Sequence, residues 1–88
     1  MLSTKSIKDE QAEIMEAVAL ETSDIVGKPI KEISMPKGTL VTGIIRNDSV
    51  IIPTGESVIE PGDRIIIFAK RQAIPKIEKI LAVKLEYF

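Results

Sequence analysis

The sequence predicts a small α+β domain that is mainly an antiparallel β-sheet, with a short helix after the first strand and a second helix near the C-terminus. Two observations support this fold class. Apolar segments rich in β-branched residues alternate with turn residues, at 39–46, 50–53 and 64–70. Beyond them, apolar residues recur at helical spacing, at Ile74, Ile77, Ile80 and Leu81. The length of 88 residues allows a single hydrophobic core.

The N-terminal part of the chain divides into two segments. Residues 3–16 are rich in helix formers, so we expect residues 1–15 to form an N-terminal helix or linker. The domain itself is expected to span residues 16–88. After Glu16, small residues (Ala17, Ala19) alternate with larger apolar ones (Val18, Leu20), which predicts the first strand of that domain.

A break and a short helix follow that strand. Gly27 interrupts the pattern, and Pro29 suits the first position of a helix because its missing N–H group would have no partner there. Ile30 and Ile33 then lie three residues apart, which predicts one or two helical turns with a single apolar edge.

The central segment predicts a β-hairpin. Residues 39–46 form the first strand, and Asn47, Asp48 and Ser49 form the turn, since Asn and Asp tolerate a positive φ. The returning strand covers residues 50–53, and Pro53 either closes it or marks it as an edge strand, since proline cannot donate a ladder hydrogen bond.

A second turn precedes the most apolar strand. Pro61 and Gly62 suit the two central positions of a type II turn, which needs a positive φ at the second of them. The unbroken apolar run from Ile65 to Ala69 predicts burial on both faces, in a sandwich or at a subunit interface. Alternation in residues 83–88, after the C-terminal helix, predicts a last strand.

Composition excludes several classes of function. The chain has no cysteine and no histidine, which excludes thiol catalysis, cysteine-ligated zinc, iron–sulfur clusters and a Ser-His-Asp triad. A net charge of −1 and three aromatic residues argue against nucleic-acid binding. The G-x-G-x-x-G pattern of dinucleotide sites is absent, and so is any apolar segment of roughly 20 residues. We therefore predict a cytoplasmic, non-enzymatic protein without metal or cofactor.

Two charged residues are candidate site residues, each with two interpretations. Arg46 ends an apolar strand, where it could bind a phosphate or carboxylate, or form an ion pair with Asp48 at a solvated strand end. Asp63 could serve a metal or a substrate proton, or hydrogen-bond to backbone N–H groups and fix its turn, which is the commoner use of such a residue.

Three segments in order resemble the TrkA C-terminal domain, also called the RCK C-terminal domain: "IVGKPIKEI" (25–33), "GTLVTGIIRNDSVIIP" (38–53) and "SVIEPGDRIIIFAK" (57–70). The resemblance covers residues 16–82. It rests on a strand that ends in Arg, a two-residue turn, a strand that ends in Pro, and a Pro-Gly-Asp turn before an apolar strand. Many members of the family have Gly in the hairpin turn, where this chain has Asp48, a residue that adopts the left-handed conformation only at some cost.

The resemblance implies a regulatory ligand-sensing subunit or domain of a potassium or other cation transport system. Its partners would be a second copy in a homodimer, a transporter or channel, and a separate nucleotide-binding subunit. The location would be cytoplasmic, at the membrane through the transporter. A small effector such as cyclic di-AMP would bind between the two copies, at Ile44, Ile45, Arg46, Asn47, Val50, Ile52 and Pro53. The alternative is a ligand-free dimerisation module of a transporter assembly.

Overall fold

The computed structural model describes residues 3–82 and contains five strands and one α-helix. The strands are β1 (Ser3–Ile7), β2 (Ala12–Val18), β3 (Thr39–Arg46), β4 (Ser49–Ile51) and β5 (Arg64–Lys70). The helix α1 spans Ile74–Ala82, and short 3₁₀ helices span Ile30–Glu32 and Arg71–Ala73. This composition confirms the predicted α+β class.

All five strands belong to one antiparallel sheet in the order β1-β2-β5-β3-β4. The central strand β5 pairs with β2 on one side and with β3 on the other, along nearly its whole length. This position explains why the most apolar segment of the sequence is β5, since a central strand has no solvent-facing edge.

The prediction of an N-terminal helix in residues 1–15 is wrong. Residues 3–18 form the β1–β2 hairpin, and Met15 and Ala17 of β2 are buried. The high helix propensity of this segment is overridden because alternate residues of β2 meet the core face of β5, as tertiary packing commonly does. The boundary between residues 15 and 16 falls inside β2, and the division of the chain there stays a prediction.

A β-bulge in β3 determines which of its residues face the core. Val41 lies opposite Ile67 and Gly43 opposite Ile66, so Thr42 is the extra residue. Its hydroxyl donates a hydrogen bond to the Ile66 carbonyl oxygen at 3.1 Å. Because the bulge shifts the two-residue alternation, Val41 and Ile44 share the core face although they lie three residues apart.

One face of the sheet is covered and the other is largely open. On the core face, Ile65, Ile67 and Ala69 of β5 are buried, and Ile77 of α1 belongs to the same cluster. On the opposite face, which we call the outer face, Phe68 is exposed. The chain by itself therefore does not bury both faces of β5, and burial of the outer face at a subunit interface stays a prediction.

The remaining local predictions are largely confirmed. The short helix after Pro29 is a single 3₁₀ turn, and α1 lies where the apolar spacing indicated. Gly62 has a φ of 90°, and the Asp63 N–H donates to the Glu60 carbonyl oxygen at 3.1 Å, as the predicted turn requires. The predicted last strand, residues 83–88, lies outside the described residues.

Candidate functional site

The β3–β4 hairpin is the segment in which the sequence places the candidate site. Arg46 pairs with Ser49, so the turn has two central residues, Asn47 and Asp48. Asn47 has a φ of 55°, whereas Asp48 is not among the residues with a positive φ. The left-handed position thus falls on Asn, which tolerates it well, and the departure from glycine at Asp48 requires no strained backbone.

The sheet separates the candidate residues between its two faces. Directly paired residues of neighbouring strands share a face. Ile45 pairs with Val50 and with Arg64 on the outer face. Ile44 pairs with Ile51 and Ile65 on the core face and is fully buried, so its side chain cannot contact a ligand at the surface of this chain.

Arg46 lies on the core side of the hairpin, and its guanidinium is held by a bidentate ion pair. Its Nε donates to Asp63 Oδ1 at 2.9 Å and its Nη2 to Asp63 Oδ2 at 2.8 Å. Nη2 also donates to the Val58 carbonyl oxygen at 3.0 Å, and Nη1 lies 3.3 Å from Glu60 Oε2. Arg46 is therefore paired with Asp63, and the alternative pairing with Asp48 is wrong.

Asp63 has the second of its two proposed roles. Its side chain is 2 % exposed, and Oδ2 accepts the Glu60 N–H at 2.9 Å as well as the Arg46 donors. The carboxylate thus fixes the turn before β5 and ties it to the end of β3. The hydrogen bonds from Arg46 hold the pKa of Asp63 below its ordinary value, against the effect of burial. The same pair raises the pKa of Arg46.

A shallow depression opens on the outer face beside the hairpin turn. It is lined by Ile45, Asn47, Asp48, Gly62 and Arg64. Arg64 is 56 % exposed, and its Nη1 lies 3.4 Å from Glu16 Oε2, an exposed pair that contributes little to stability. Arg64 is therefore a cation that this surface can offer to a ligand, although no pattern in the sequence singles it out.

The remaining candidate residues lie in β4 or directly after it. Val50 and Ile52 are exposed, and Pro53 is half-buried. The structure thus brings Ile45, Asn47 and Val50 together with Arg64, and it places Ile44 and Arg46 on the opposite face. Only the register of the strands reveals this division, because the bulge at Thr42 sets it.

Two features are absent from residues 3–82. No group of three or more acidic residues in this part of the chain could hold a metal ion. No helix of the described segment is long and apolar enough to cross a membrane.

Comparisons with known proteins identify similar sequences. The TrkA-C domain family model matches residues 14–82. The chain is 49 % identical over 75 residues to Trk system potassium uptake protein TrkA homolog 2 of Methanosarcina mazei. It is 39 % identical over 83 residues to TrkA of Azorhizobium caulinodans. These matches cover 85 % and 94 % of this chain, but it spans only 17 % and 18 % of the length of the two relatives.

Two solved structures share the fold. An RCK domain with cda matches with a TM-score of 0.68 and 20 % identity, over 77 % of this chain and 96 % of that one. The second structure is S. agalactiae BusR in complex with its busA-promotor DNA. It matches with a TM-score of 0.69 and 23 % identity, over 92 % of this chain and 42 % of that one.

Proposed function

Because the chain belongs to the TrkA-C domain family, we propose that it is a regulatory, ligand-sensing domain or subunit of a potassium or other cation uptake system. It would act on the cytoplasmic side with a transporter or channel and a separate nucleotide-binding subunit. The role is non-enzymatic and requires no cofactor. The names of its relatives as potassium uptake proteins support this proposal. That the chain binds no nucleic acid stays a prediction, based on its net charge of −1.

The observation that carries the proposal of a homodimer is the apolar outer face of the sheet. Leu40, Val50 and Phe68 are 64 %, 71 % and 38 % exposed. Cross-strand pairing places Leu40 beside Phe68, and Phe68 beside Ile14, so these three side chains form a continuous surface, while Val50 lies towards the hairpin end of the same face. A second copy would bury this surface and supply the missing cover for the apolar run of β5, in a domain small enough to benefit from association.

The effector would bind where this face meets the hairpin. Ile45 and Val50 offer apolar contacts to a base, Asn47 offers amide hydrogen bonds, and Arg64 offers a charge for a phosphate. Ile52 and Pro53 would form the rim. Ile44 and Arg46 would act indirectly, since both support the hairpin from the core face. Cyclic di-AMP is the proposed effector because it carries two bases and two phosphates and could span a two-fold interface.

Regulation would follow from unequal affinity for two arrangements of the dimer. An effector that contacts both copies binds one arrangement better and shifts the population towards it. The transporter is coupled to the effector if it binds the two arrangements of the dimer with different free energies. That difference is the coupling free energy.

The dimer is tested by measuring the mass of the wild type and of Phe68→Lys with light scattering during gel filtration. We expect a dimer for the wild type and a monomer for the variant, since the lysine would place a charge in the apolar interface. Val58→Lys is the matched control, because Val58 is equally exposed but belongs to the loop beside Arg46. A monomeric wild type would exclude the dimer, and equal masses for both variants would exclude this face.

The effector is tested by calorimetric titration with cyclic di-AMP. We expect Arg64→Ala to weaken binding without lowering the melting temperature, and Asp48→Asn to strengthen it by removing a negative charge beside the phosphate. A dimer that releases no heat at millimolar ligand would favour the ligand-free dimerisation module. Binding that is unchanged in Arg64→Ala would refute the assigned charge contact.

A further inference from the structure

We propose that a second depression, lined by Lys37, Lys70 and Lys76, binds a phosphate-bearing anion. It lies at the end of β3 and β5 that is remote from the hairpin, since Lys70 ends β5 and Lys37 shortly precedes β3. The eight residues of β3 separate this depression from the hairpin by roughly 25 Å, at about 3.3 Å per residue. The proposal is therefore independent of the effector site.

The three lysines reach this depression from three separate segments. The Lys70 N–H donates to the Gly38 carbonyl oxygen at 2.8 Å, which joins the end of β5 to the loop before β3. The hydroxyl of Thr39, the first residue of β3, donates to the Pro36 carbonyl oxygen of that loop at 2.7 Å. Lys76 stands in the first turn of α1. The loop and the strand that carry Lys37 and Lys70 are thus joined by the backbone hydrogen bond between Lys70 and Gly38.

Gly38 lets the Lys70 side chain pack closely against the backbone of the loop, because glycine has no side chain of its own. Gly38 has a φ of 84°, and a Cβ atom added there would lie 3.3 Å from Lys70 Cβ. The aliphatic stem of Lys70 therefore lies over Gly38 in the space that a side chain would occupy. Buried Ala73 and exposed Gln72 complete the lining, so the depression combines a small apolar residue, an amide and three ammonium groups.

The charge of this depression is one-sided. Within residues 3–82 no carboxylate lines it, and no ion pair there includes any of the three lysines. The adjoining depression shares Lys70 and Gln72 and holds two acids, Asp9 and Glu10; of these, Glu10 is paired with a base of its own, since its Oε1 lies 3.4 Å from Arg71 Nη1. This local excess of positive charge stands out in a chain whose net charge is −1.

A multiply charged phosphate is the anion that suits such a site. Several ammonium groups that share a depression repel one another, and an anion between them removes that repulsion and adds charge-assisted hydrogen bonds. Lysine is a compact, strongly hydrated charge that binds phosphate oxygens without the planar geometry that arginine needs. Both a soluble polyphosphate and the phosphate of an anionic lipid headgroup have this chemistry.

The test compares the wild type with Lys37→Gln/Lys76→Gln by calorimetric titration with inorganic tripolyphosphate. Lys70 is left in place because its stem packs on Gly38. The control is Lys28→Gln/Lys79→Gln, which removes the same number of charges from exposed positions outside the depression. We expect the site variant to weaken binding roughly ten-fold or more and the control to change it less than about two-fold.

The source of the phosphate is identified by sedimentation with phosphatidylcholine vesicles, with and without phosphatidylglycerol. Binding to tripolyphosphate alone assigns a soluble ligand, and lysine-dependent binding to the anionic vesicles assigns a lipid headgroup. The proposal is overturned if the wild type binds neither probe, or if the site variant and the control lose affinity equally. Cyclic di-AMP binding and dimerisation should be unchanged in the site variant, so this result is separable from the effector test.

Discussion

Replacing Asp63 with alanine is the most informative single perturbation of this protein. The carboxylate accepts three hydrogen bonds, at 2.9 and 2.8 Å from Arg46 and at 2.9 Å from the Glu60 N–H. It therefore connects the end of β3 to the turn that starts β5, the central strand. Loss of the side chain would release both connections while leaving the apolar core intact.

The expected cost follows from burial and from what Arg46 retains. Removing one partner of a buried ion pair typically costs about 3–5 kcal/mol. Here Arg46 is 30 % exposed and keeps its contacts with the Val58 carbonyl oxygen and with Glu60, so its charge would still have partners. We expect Asp63→Ala to lower the free energy of unfolding by about 2–3 kcal/mol. For a domain of this size, this corresponds to a melting temperature lower by roughly 10–20 °C.

Urea unfolding followed by circular dichroism measures this loss of unfolding free energy. An unchanged m-value would show that wild type and variant expose the same surface area on unfolding. Glu56→Ala is the matched control, since Glu56 is also a paired carboxylate but is largely exposed, and its loss should cost less than about 1 kcal/mol. Asp63→Asn should fall between the two, because an amide oxygen can still accept the Glu60 N–H. Equal losses for Asp63→Ala and Glu56→Ala would refute the structural role of the carboxylate.

Two further predictions concern pH and the core. The folded-state pKa of Asp63 lies below its unfolded value of about 3.9, so its stabilisation is present above that pH and is lost as the pH falls through the folded-state pKa. The difference in melting temperature between wild type and Asp63→Asn should therefore shrink on acidification, and a constant difference would contradict this. Ile77→Ala should cost about 3 kcal/mol in urea unfolding because Ile77 is fully buried between α1 and the sheet. Glu78 is the next residue of α1 and is exposed, so Glu78→Ala should change the free energy of unfolding by less than about 0.5 kcal/mol. A similar loss in both variants would show that α1 does not pack as described.

The ion pair between Arg46 and Asp63 also changes how the effect of an Arg46 substitution on ligand binding should be interpreted. From the sequence, Arg46 was a candidate contact for a ligand phosphate. In the structure its donors serve Asp63 and Val58, so Arg46→Ala would leave a buried carboxylate without its partner. Weakened effector binding in that variant would follow from a displaced hairpin as readily as from a lost contact. Arg64→Ala is the cleaner test because Arg64 is exposed and only loosely paired.

Local signals in the sequence determined much of this protein. The turn at Pro61 and Gly62, the strand that follows it, the central hairpin and the C-terminal helix all depend on residues close together in the chain, and they were predicted with nearly correct bounds. The order of these motifs also indicated the family. Backbone preferences and apolar spacing act within a few residues, so these features can be read without knowledge of the fold.

Tertiary structure alone decided three other features. Residues 3–16 favour a helix by composition, but pairing of β2 with β5 makes the segment a hairpin, because burial outweighs propensity. The bulge at Thr42 places Ile44 in the core and Ile45 on the outer face, which simple alternation cannot foresee. Asp63 binds Arg46, which lies 17 residues earlier in the chain, and Lys37 lines the same depression as Lys70, 33 residues later. Antiparallel pairing brings such distant segments side by side. The sequence thus supplied the candidate side chains, and the register of the sheet decided which of them lie together.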